Sequence, residues 1–572
     1  MVKATTKRQS VRLLQVQLLE KRELFAADSG LGGTVPGGTG DSVPGLFSSS
    51  SSSKVPAPFW RKTDGVPSAA PAWYQNIGPV TREVFYNPSL TSAQNGAALK
   101  SVLTTLPAGS RVVIHAGTYS VDSYFVVTAQ GTASQPVVIE GAIGEKVSIT
   151  RKDSLQNAIN VDKSQFLLMR NLDISGGDTG LKLYAVSNVM LYNSKIHHVA
   201  NNGIAANSKS TSNLYFVDNE ISYTSGNGEG FYLGSNDGVY KTNNTFVVGN
   251  YLHHLASGTA SQGDGIEIKD GSYANVVKYN FVDGTRYPGI TVYRTGRGAA
   301  DRNLIEENVV INSIDAGIQV TADAVVRNNL VIGKSTAFVS KPYTTNPVNM
   351  VVTNNTFLGS GTAVKLTNWL TTDLAFANNA VHSPSGLYYS STGTGNAVSV
   401  GNVNIANLAT AFNNLKVDGT ALDARPILGS TVIAKASASY LPSGDLNGDT
   451  RATQMDSGAV DYTGDSATVA KLGTAVDMRK LAAPSVTTPS NMSGSTGSAQ
   501  ALQNRGVMRS SNPATLASAQ RFSIRSTTAS NGAKANESSM SVRTAASNGE
   551  RADLHRSRLL NQVVGDLQGF AF

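Results

Sequence analysis

The chain has 572 residues, 40% of them hydrophobic, with 55 glycines, 15% charged residues and a formal charge of +8. That is enough apolar material for a large core, but the weight of glycine and of small, polar and β-branched residues is unlike a helical enzyme. The basic excess is not gathered into one block or interleaved with aromatics, which argues against nucleic acid, and the lack of cysteine excludes disulfides, zinc-thiolate sites and thiol catalysis.

No run approaches the roughly 18 apolar residues needed to cross a bilayer, so no transmembrane segment is expected. Residues 11–28, VRLLQVQLLEKRELFAAD, follow basic residues and end in small ones, but Glu20, Lys21, Arg22 and Glu23 interrupt an ordinary signal-peptide core. The stretch resembles the LE-x-R-x-L-x-A segment that heads many exported bacterial surface proteins, which implies a cell-surface or extracellular location. The plainer reading of the same residues is a short amphipathic helix. We therefore divide the chain into a targeting-like segment (1–28), a Gly/Ser/Pro-rich linker (29–80, with SSSSSS at 48–53), a folded body (81–465) and a low-complexity tail (466–572), disordered at least over 480–550. Arg551–Phe572 has the pattern of a short terminal helix.

The body opens with NGAALKSVL (95–103), a helix-period stretch that leads to the strand-like VVIHAGTY (112–119). A repeat follows. One apolar column runs through Ile174, Ile196, Ile221, Leu252, Val282, Val310, Val331, Phe357 and Val381, at spacings of 22, 25, 31, 30, 28, 21, 26 and 24. Two residues earlier stand Leu172, Ser194, Asn219, Asn250, Asn280, Asn308, Asn329, Asn355 and Asn379, seven of nine being asparagine. A drifting period of this kind is the mark of a solenoid in which each repeat is one coil with variable loops. A second column, Gly180, Gly203, Gly230, Gly265, Gly289, Gly317, Ala337, Ala363 and Gly386, mostly opens a short alternating strand such as GIEI or GITV. A third strand such as NVVKYN completes the coil. Three strands per coil predict an all-β fold, a triangular parallel β-helix. The asparagines are expected to take a left-handed bend and to bond the same amide one coil away.

Open solenoid ends are edge strands and need covering. The opening helix is expected to cover the first coil, as in many right-handed parallel β-helix proteins that it resembles. Downstream, Asp445, Asn447, Asp449 and Asp456 fall at positions 1, 3, 5 and 12 of a calcium loop, but Thr450 stands where that loop wants glycine and no second copy is present. The same stretch resembles the closing D-x-x-G-x-x-R … D-x-G-A-x-E segment of β-helix proteins, so a C-terminal cap and a calcium-dependent docking loop both remain open.

The apolar and glycine columns are separated by 6, 7, 9, 13, 7, 7, 6, 6 and 5 residues, so the turns before Gly230 and Gly265 are enlarged. Such loops build a wall beside the glycine-led sheet. Alternation along a strand and stacking of coils then place outward, on adjacent coils, Asn202, Glu229, Asp264 and Pro288; Ala205, Tyr232, Glu267 and Thr291; and Asn207, Gly234, Lys269 and Tyr293. Three carboxylates within about 5 to 8 Å repel by roughly 2 to 3 kcal/mol per pair, so Glu229, Asp264 and Glu267 need neutralising. Salt bridges to Lys269 and Arg294 are one means, and a bound Ca2+ is the other. The two histidine pairs, His197–His198 and His253–His254, recur at matching positions and read first as turn residues.

The repeat as a whole, about 95–462, resembles the pectate-lyase-like right-handed β-helix superfamily. Within it, Asp264-Gly265-x-x-x-Lys269 is similar to the DG-x-x-x-K run of family 9 polysaccharide lyases, whose lysine is the base beside an Asp-bound calcium; a later DDG, due near RYPGI (286–290), is absent. Arg294-Thr295-Gly296 resembles the R-x-G arginine of family 6 lyases, with a different Glu-to-Lys spacing. The resemblance implies an acidic polysaccharide as partner and β-elimination of a uronate as the reaction. In that reading Lys269 is the base and Arg294 the partner of the carboxylate or enolate. Tyr232 and Tyr293 serve as stacking platforms or proton donors, Arg297 and His254 line the substrate path, and Glu229, Asp264 and Glu267 hold Ca2+. Two alternatives stay open: a non-catalytic glycan-binding or surface protein, and a glycoside hydrolase using paired carboxylates such as Asp264 and Glu267.

Overall fold

The structure, a computed structural model, describes residues 67–463 apart from 256–259, 391–392 and 452–454. The targeting-like segment, most of the linker and the low-complexity tail lie outside the described residues.

The body is a right-handed parallel β-helix. Each coil contributes one strand to each of three parallel sheets, and the sheet that carries the apolar column is twelve strands deep, from Gly117–Ser120 to Val403–Asn404. At about 4.8 Å per rung the stack is roughly 50 Å long. Every member of the apolar column is in the buried core, and Ile174, Ile196, Ile221, Leu252 and Val282 pair in sequence on successive rungs. Two rungs precede the nine visible in the sequence and one follows them. The early ones escape notice because Gly117 and Val147 stand two residues before their apolar positions, where later coils have asparagine.

The asparagine column forms a ladder at the bend between the third strand and the apolar-column strand. Side-chain amides link Asn219, Asn250, Asn280, Asn308, Asn329, Asn355, Asn379 and Asn402 in a continuous series at 2.9–3.0 Å. Each acceptor oxygen also takes the backbone N–H of the preceding ladder residue, so the buried polar groups of the bend are satisfied within the stack. The left-handed residue of the bend is not the ladder asparagine but the one before it, among them Asn193, Asp218, Gly249, Tyr279, Glu307, Asn328, Asn354 and Asn378. In the Asn-Asn repeats the two asparagines therefore do different work: the first adopts positive φ and the second bonds its neighbour. The glycine column answers a different constraint. A Cβ on Gly265 would stand 2.3 Å from the carbonyl oxygen of Gly289 and 2.8 Å from Val282, and one on Gly289 would stand 2.3 Å from Val310. Gly386, the last of that column in the sequence, is instead an open turn at φ 86°.

The N-terminal helix, Ser92–Leu103, begins at a capping box in which Thr91 and Gln94 bond each other's backbone N–H. Leu99 and Leu103 enter the core of the first coil, so it covers the first rung as expected. No helix of the described residues is long and apolar enough to cross a membrane.

The two flanking segments differ from their sequence reading. Residues 67–77, read as the end of a linker, pack Ala69 and Trp73 against the outer face of the third sheet, on Leu168, Met190, Val217, Phe246 and Val248. Residues 445–462, read as an end cap or a calcium loop, lie along the flank. Phe412, Leu415, Leu446 and Val460 cover Phe281, Val309, Leu330 and Leu358 on the outer face of the apolar-column sheet. The carboxylates of the calcium-like loop are turned inward. Asp445 accepts the backbone N–H groups of Asn447, Asp449 and Asp461, and Asp456 those of Ala434 and Tyr462. Arg451 latches the segment by donating to Asn328 Oδ1 at 2.9 Å and to the carbonyls of Gly444, Asp456, Gly458 and Ala459. Arg451→Ala removes a buried cation and leaves these acceptors unpaired, an expected loss of about 3–5 kcal/mol. Hydrogen exchange should rise across 412–461 and stay unchanged at Asp173–Gly176; equal protection in both proteins would show that the latch holds nothing.

Among the described residues, the segments around Trp73 and Leu446 lie on the outer faces of the other two sheets, and the glycine-led sheet carries the candidate site residues.

Candidate functional site

The strands Phe231–Leu233, Ile266–Ile268 and Ile290–Val292 are neighbours in the glycine-led sheet, with Tyr232 beside Glu267 and Glu267 beside Thr291. Ile266, Ile268 and Phe231 point into the core, so alternation turns Tyr232, Glu267 and Thr291 outward. Glu229 and Asp264 precede Gly230 and Gly265 on adjacent rungs, where Gly230 N–H bonds Asp264 O at 2.9 Å. The enlarged turns pack on each other through Gln262 N–H to Asn227 O at 3.1 Å, which builds the wall expected from the loop lengths.

Glu229, Asp264 and Glu267 converge: one carboxylate oxygen from each lies within 4.8 Å of the others. All three are buried, and Glu229 is 0% exposed. Among the described residues, both Glu229 oxygens and Glu267 Oε2 lack a hydrogen-bond partner, and so does the buried Asn202 Oδ1 one rung away at the same register position. Asp264 Oδ1 accepts from Thr291 Oγ1 at 2.5 Å. Lys269 is paired with Glu267 Oε1, and its ammonium sits 4.7 Å from the ring centre of Tyr232 and 5.1 Å from that of Tyr293. Burial, reinforced by the mutual repulsion of the group, holds Glu229 and Asp264 well above the usual carboxylate range. Burial raises Glu267 as well, against the pull of Lys269. Burial and Glu267 keep the Tyr232 and Tyr293 phenols protonated.

A hard divalent cation fits this donor set. Calcium–oxygen distances are about 2.3–2.6 Å, so oxygens within 4.8 Å of one another can share one ion, and the unpartnered oxygens have no other function in view.

The sequence placed Glu229, Asp264, Glu267, Lys269, Tyr232 and Tyr293 together, and the structure brings all six into one cluster. Arg294 stands at its rim, half-exposed, 3.8 Å from Asp270 and bonded to Thr345. Arg297 is directed away, to Asp301 at 2.6 Å and the face of Tyr273. His254 belongs to another corner. His198, Tyr223 and His254 hold the left-handed turn position of successive rungs at φ 52–55° and stack at 4.6 and 4.9 Å. Two contributors were missed. Tyr343, from the loop between Ser340 and Met350, meets Tyr293 edge to face at 4.7 Å, and Asn236 accepts from the Tyr232 hydroxyl at 2.6 Å. The long turn KPYTTNPVN (341–349) is the signal for Tyr343 in the sequence, and it follows a strand of the glycine-led sheet instead of preceding one.

The charge arrangement sets a pH dependence. Glu229 and Asp264 titrate higher folded than unfolded, so above the ordinary carboxylate range near pH 4 the native state binds more protons, and stability falls as pH rises through the raised values. Glu307, raised to about 7, acts in the same direction but lies outside this cluster. A cation that relieves the ionised form must therefore stabilise more at pH 8 than at pH 5. Thermal melts with calcium or chelator should show a calcium increment that grows with pH, reaching about 2–4 kcal/mol at 100 to 1,000 times Kd. Glu229→Gln should shrink it, and an increment absent at every pH would rule the ion out.

A family model described as "Right handed beta helix region" matches residues 134–260. No curated protein matches the chain. Similar solved structures include an alginate lyase from Paenibacillus sp. str. FPU-7 (20% identity, TM-score 0.36, 57% of this chain and 96% of that one). They also include pectate lyase Pel9A (14%, 0.39, 69% and 100%) and a hyperthermoactive exopolygalacturonase from Thermotoga maritima (11%, 0.36, 59% and 95%). At these identities the likeness concerns the fold alone.

Proposed function

We propose that the protein is a carbohydrate-active β-helix enzyme that cleaves an acidic polysaccharide by β-elimination at the Lys269 cluster. The observation that carries this reading is the position of the Lys269 ammonium, held between Glu267 and the faces of Tyr232 and Tyr293, beside three convergent carboxylates. The DG-x-x-x-K run at Asp264–Lys269 supports it.

In the reaction Lys269 Nζ, once it has given up its own proton, takes the proton from the carbon next to the uronate carboxylate. The electrons left behind form a carbon–carbon double bond, and the neighbouring carbon's bond to the glycosidic oxygen breaks. That oxygen takes a proton from the Tyr232 phenol, which burial keeps available as a donor. Arg294, at the rim, pairs with the substrate carboxylate. A cation held by Glu229, Asp264 and Glu267 would stabilise the negative charge that develops on that carboxylate. The export-like segment at 1–28 is consistent with a polymeric substrate outside the cell.

The carboxylate spacing argues against an inverting hydrolase, which needs about 6.5–9.5 Å between its acid and base; the three groups meet within 4.8 Å. Their burial favours one other reading, in which the same residues hold a structural cation that staples the two enlarged turns of a glycan-binding solenoid. Incubation with pectate, alginate and glycosaminoglycans, with calcium or chelator, separates the readings. A lyase yields reducing ends together with ultraviolet-absorbing unsaturated uronate, a hydrolase yields reducing ends alone, and a binder yields neither. Neither signal on any acidic polymer would overturn the proposal.

A further inference from the structure

The outer column of the glycine-led sheet continues N-terminally from the cluster. Register pairs Glu267 with Tyr232, Tyr232 with Ala205 and Ala205 with Lys182. Lys182 is therefore three rungs from Glu267, roughly 14 Å along the axis. Its neighbours Leu181 and Leu183 enter the core, so Lys182 and Tyr184 face outward. The Lys182 ammonium bonds Asn207 Oδ1 and lies 5.8 Å from the ring centre of Tyr184. No carboxylate reaches it among the described residues: its acidic neighbour, Asp178, raises it only from a distance, and burial pushes the ammonium down to about 8. Asp178 bonds Thr179 instead. Tyr124, 54% exposed, stands on the turn before Val126–Gln130, and register pairs Val126 with Asn160 and Asn160 with Lys182, so it lies two rungs N-terminal of Lys182 on the same sheet.

A half-buried cation bonded to an amide oxygen, with no anion against it among the described residues and an exposed aromatic ring two rungs further along the same sheet, is a place for an anionic sugar. The ammonium lacks a counter-charge, and the ring offers an apolar face of the kind pyranose rings stack on. The two intervening rungs present the small Ala205 and then Tyr232 in this column, and Gly234 occupies the second outward column on the Tyr232 rung.

We infer that Lys182 and Asn207, with Tyr124, form a distal subsite for a uronate carboxylate on the same polysaccharide chain that reaches Lys269. The inference rests on the proposed function and deepens it, because it requires a polymer that carries acidic groups on residues remote from the cleaved bond. A pyranose unit and a rung are of similar length, so the subsite lies about three sugar residues from the reacting bond. Chain length then becomes the readout.

The test is calorimetry with purified oligouronates from di- to hexasaccharide on the Lys269→Ala protein, which leaves the ligand intact. Affinity should rise about tenfold once the oligomer spans three rungs, the worth of one charge-assisted bond. Adding Lys182→Met should remove that rise and leave the disaccharide unaffected, and Lys182→Arg should keep most of it. Tyr124→Ala, on an exposed turn where folding is not at stake, should lower hexasaccharide affinity in the same direction. A hexasaccharide that binds the Lys182→Met protein as tightly as its parent overturns the subsite alone. Failure of every oligouronate to bind the parent overturns the proposed function and the subsite with it.

Discussion

Lys269→Ala is expected to lower the formation of unsaturated product by about 10²–10⁴-fold, the usual worth of a positioned acid or base. The effect should fall on kcat, because the ammonium is buried beneath two tyrosines and is not a surface anchor for the polymer. Lys269→Arg keeps the charge beside Glu267 but supplies no practicable base, since a guanidinium stays protonated. It should be as inactive as alanine while melting closer to the parent. Tyr232→Phe keeps the ring that faces the ammonium and loses the proton donor, so its loss should also appear in kcat with little change in KM. Retained activity in Lys269→Ala would move the chemistry away from this cluster. Activity lost in Lys269→Ala but restored by Lys269→Arg would reduce the residue to a counter-ion for the carboxylates.

The second large effect is on stability. Asn308 makes five bonds through its side chain: it donates to Val277 O, Glu306 O and Asn329 Oδ1, and accepts from the backbone and side-chain N–H groups of Asn280. Leucine at this position fills a similar volume and leaves those partners buried without mates. At about 1–3 kcal/mol for each unpaired buried group, softened by local relaxation, Asn308→Leu should cost roughly 4 kcal/mol or more. Asn402, the last member of the ladder among the described residues, is partly exposed, so Asn402→Leu should cost about 1 kcal/mol. Denaturant midpoints of the two variants decide the matter. Equal losses would mean that the ladder does not act as a buried, continuous network.

Much of the fold was legible because a solenoid repeats one local problem. Each coil must bring an apolar side chain to the same interior point, admit the next coil's carbonyl against a residue without a Cβ, and satisfy a buried bend. These demands fix the columns at Ile221, Gly230 and Asn219 and their successors, and register follows from them. For the same reason the cluster of Glu229, Asp264, Glu267 and Lys269 could be placed before any coordinates, since strand alternation and rung order together determine which side chains meet.

The rest was hidden by interactions that do not repeat. Trp73 and Arg451 dock single segments onto outer faces, and nothing in GVPSAAPAW or DLNGDTR states which rung receives them. Asp445 and Asp456 have metal-ligand spacing, yet their oxygens are taken by backbone N–H groups that only the folded strap brings near. Arg297 and His254 were assigned by proximity in sequence to the wall. Beyond the end of a strand, alternation no longer applies, and a turn sent Arg297 to Asp301 while a left-handed φ put His254 into an aromatic stack. Tyr343 reaches the site from a loop two rungs beyond Tyr293, a distance that column arithmetic does not span.

The claim on which the functional account turns is that the outer face of the glycine-led sheet is where an acidic glycan is held for reaction. A crystal structure of the Lys269→Ala protein soaked with a tetrauronate tests it most directly. The account predicts a saccharide lying along the rungs of Tyr232, Glu267 and Thr291, with a uronate carboxylate beside Arg294 and the acidic carbon facing the space left by Lys269. A ligand seated on another face, or none at saturating concentration with calcium present, would contradict it.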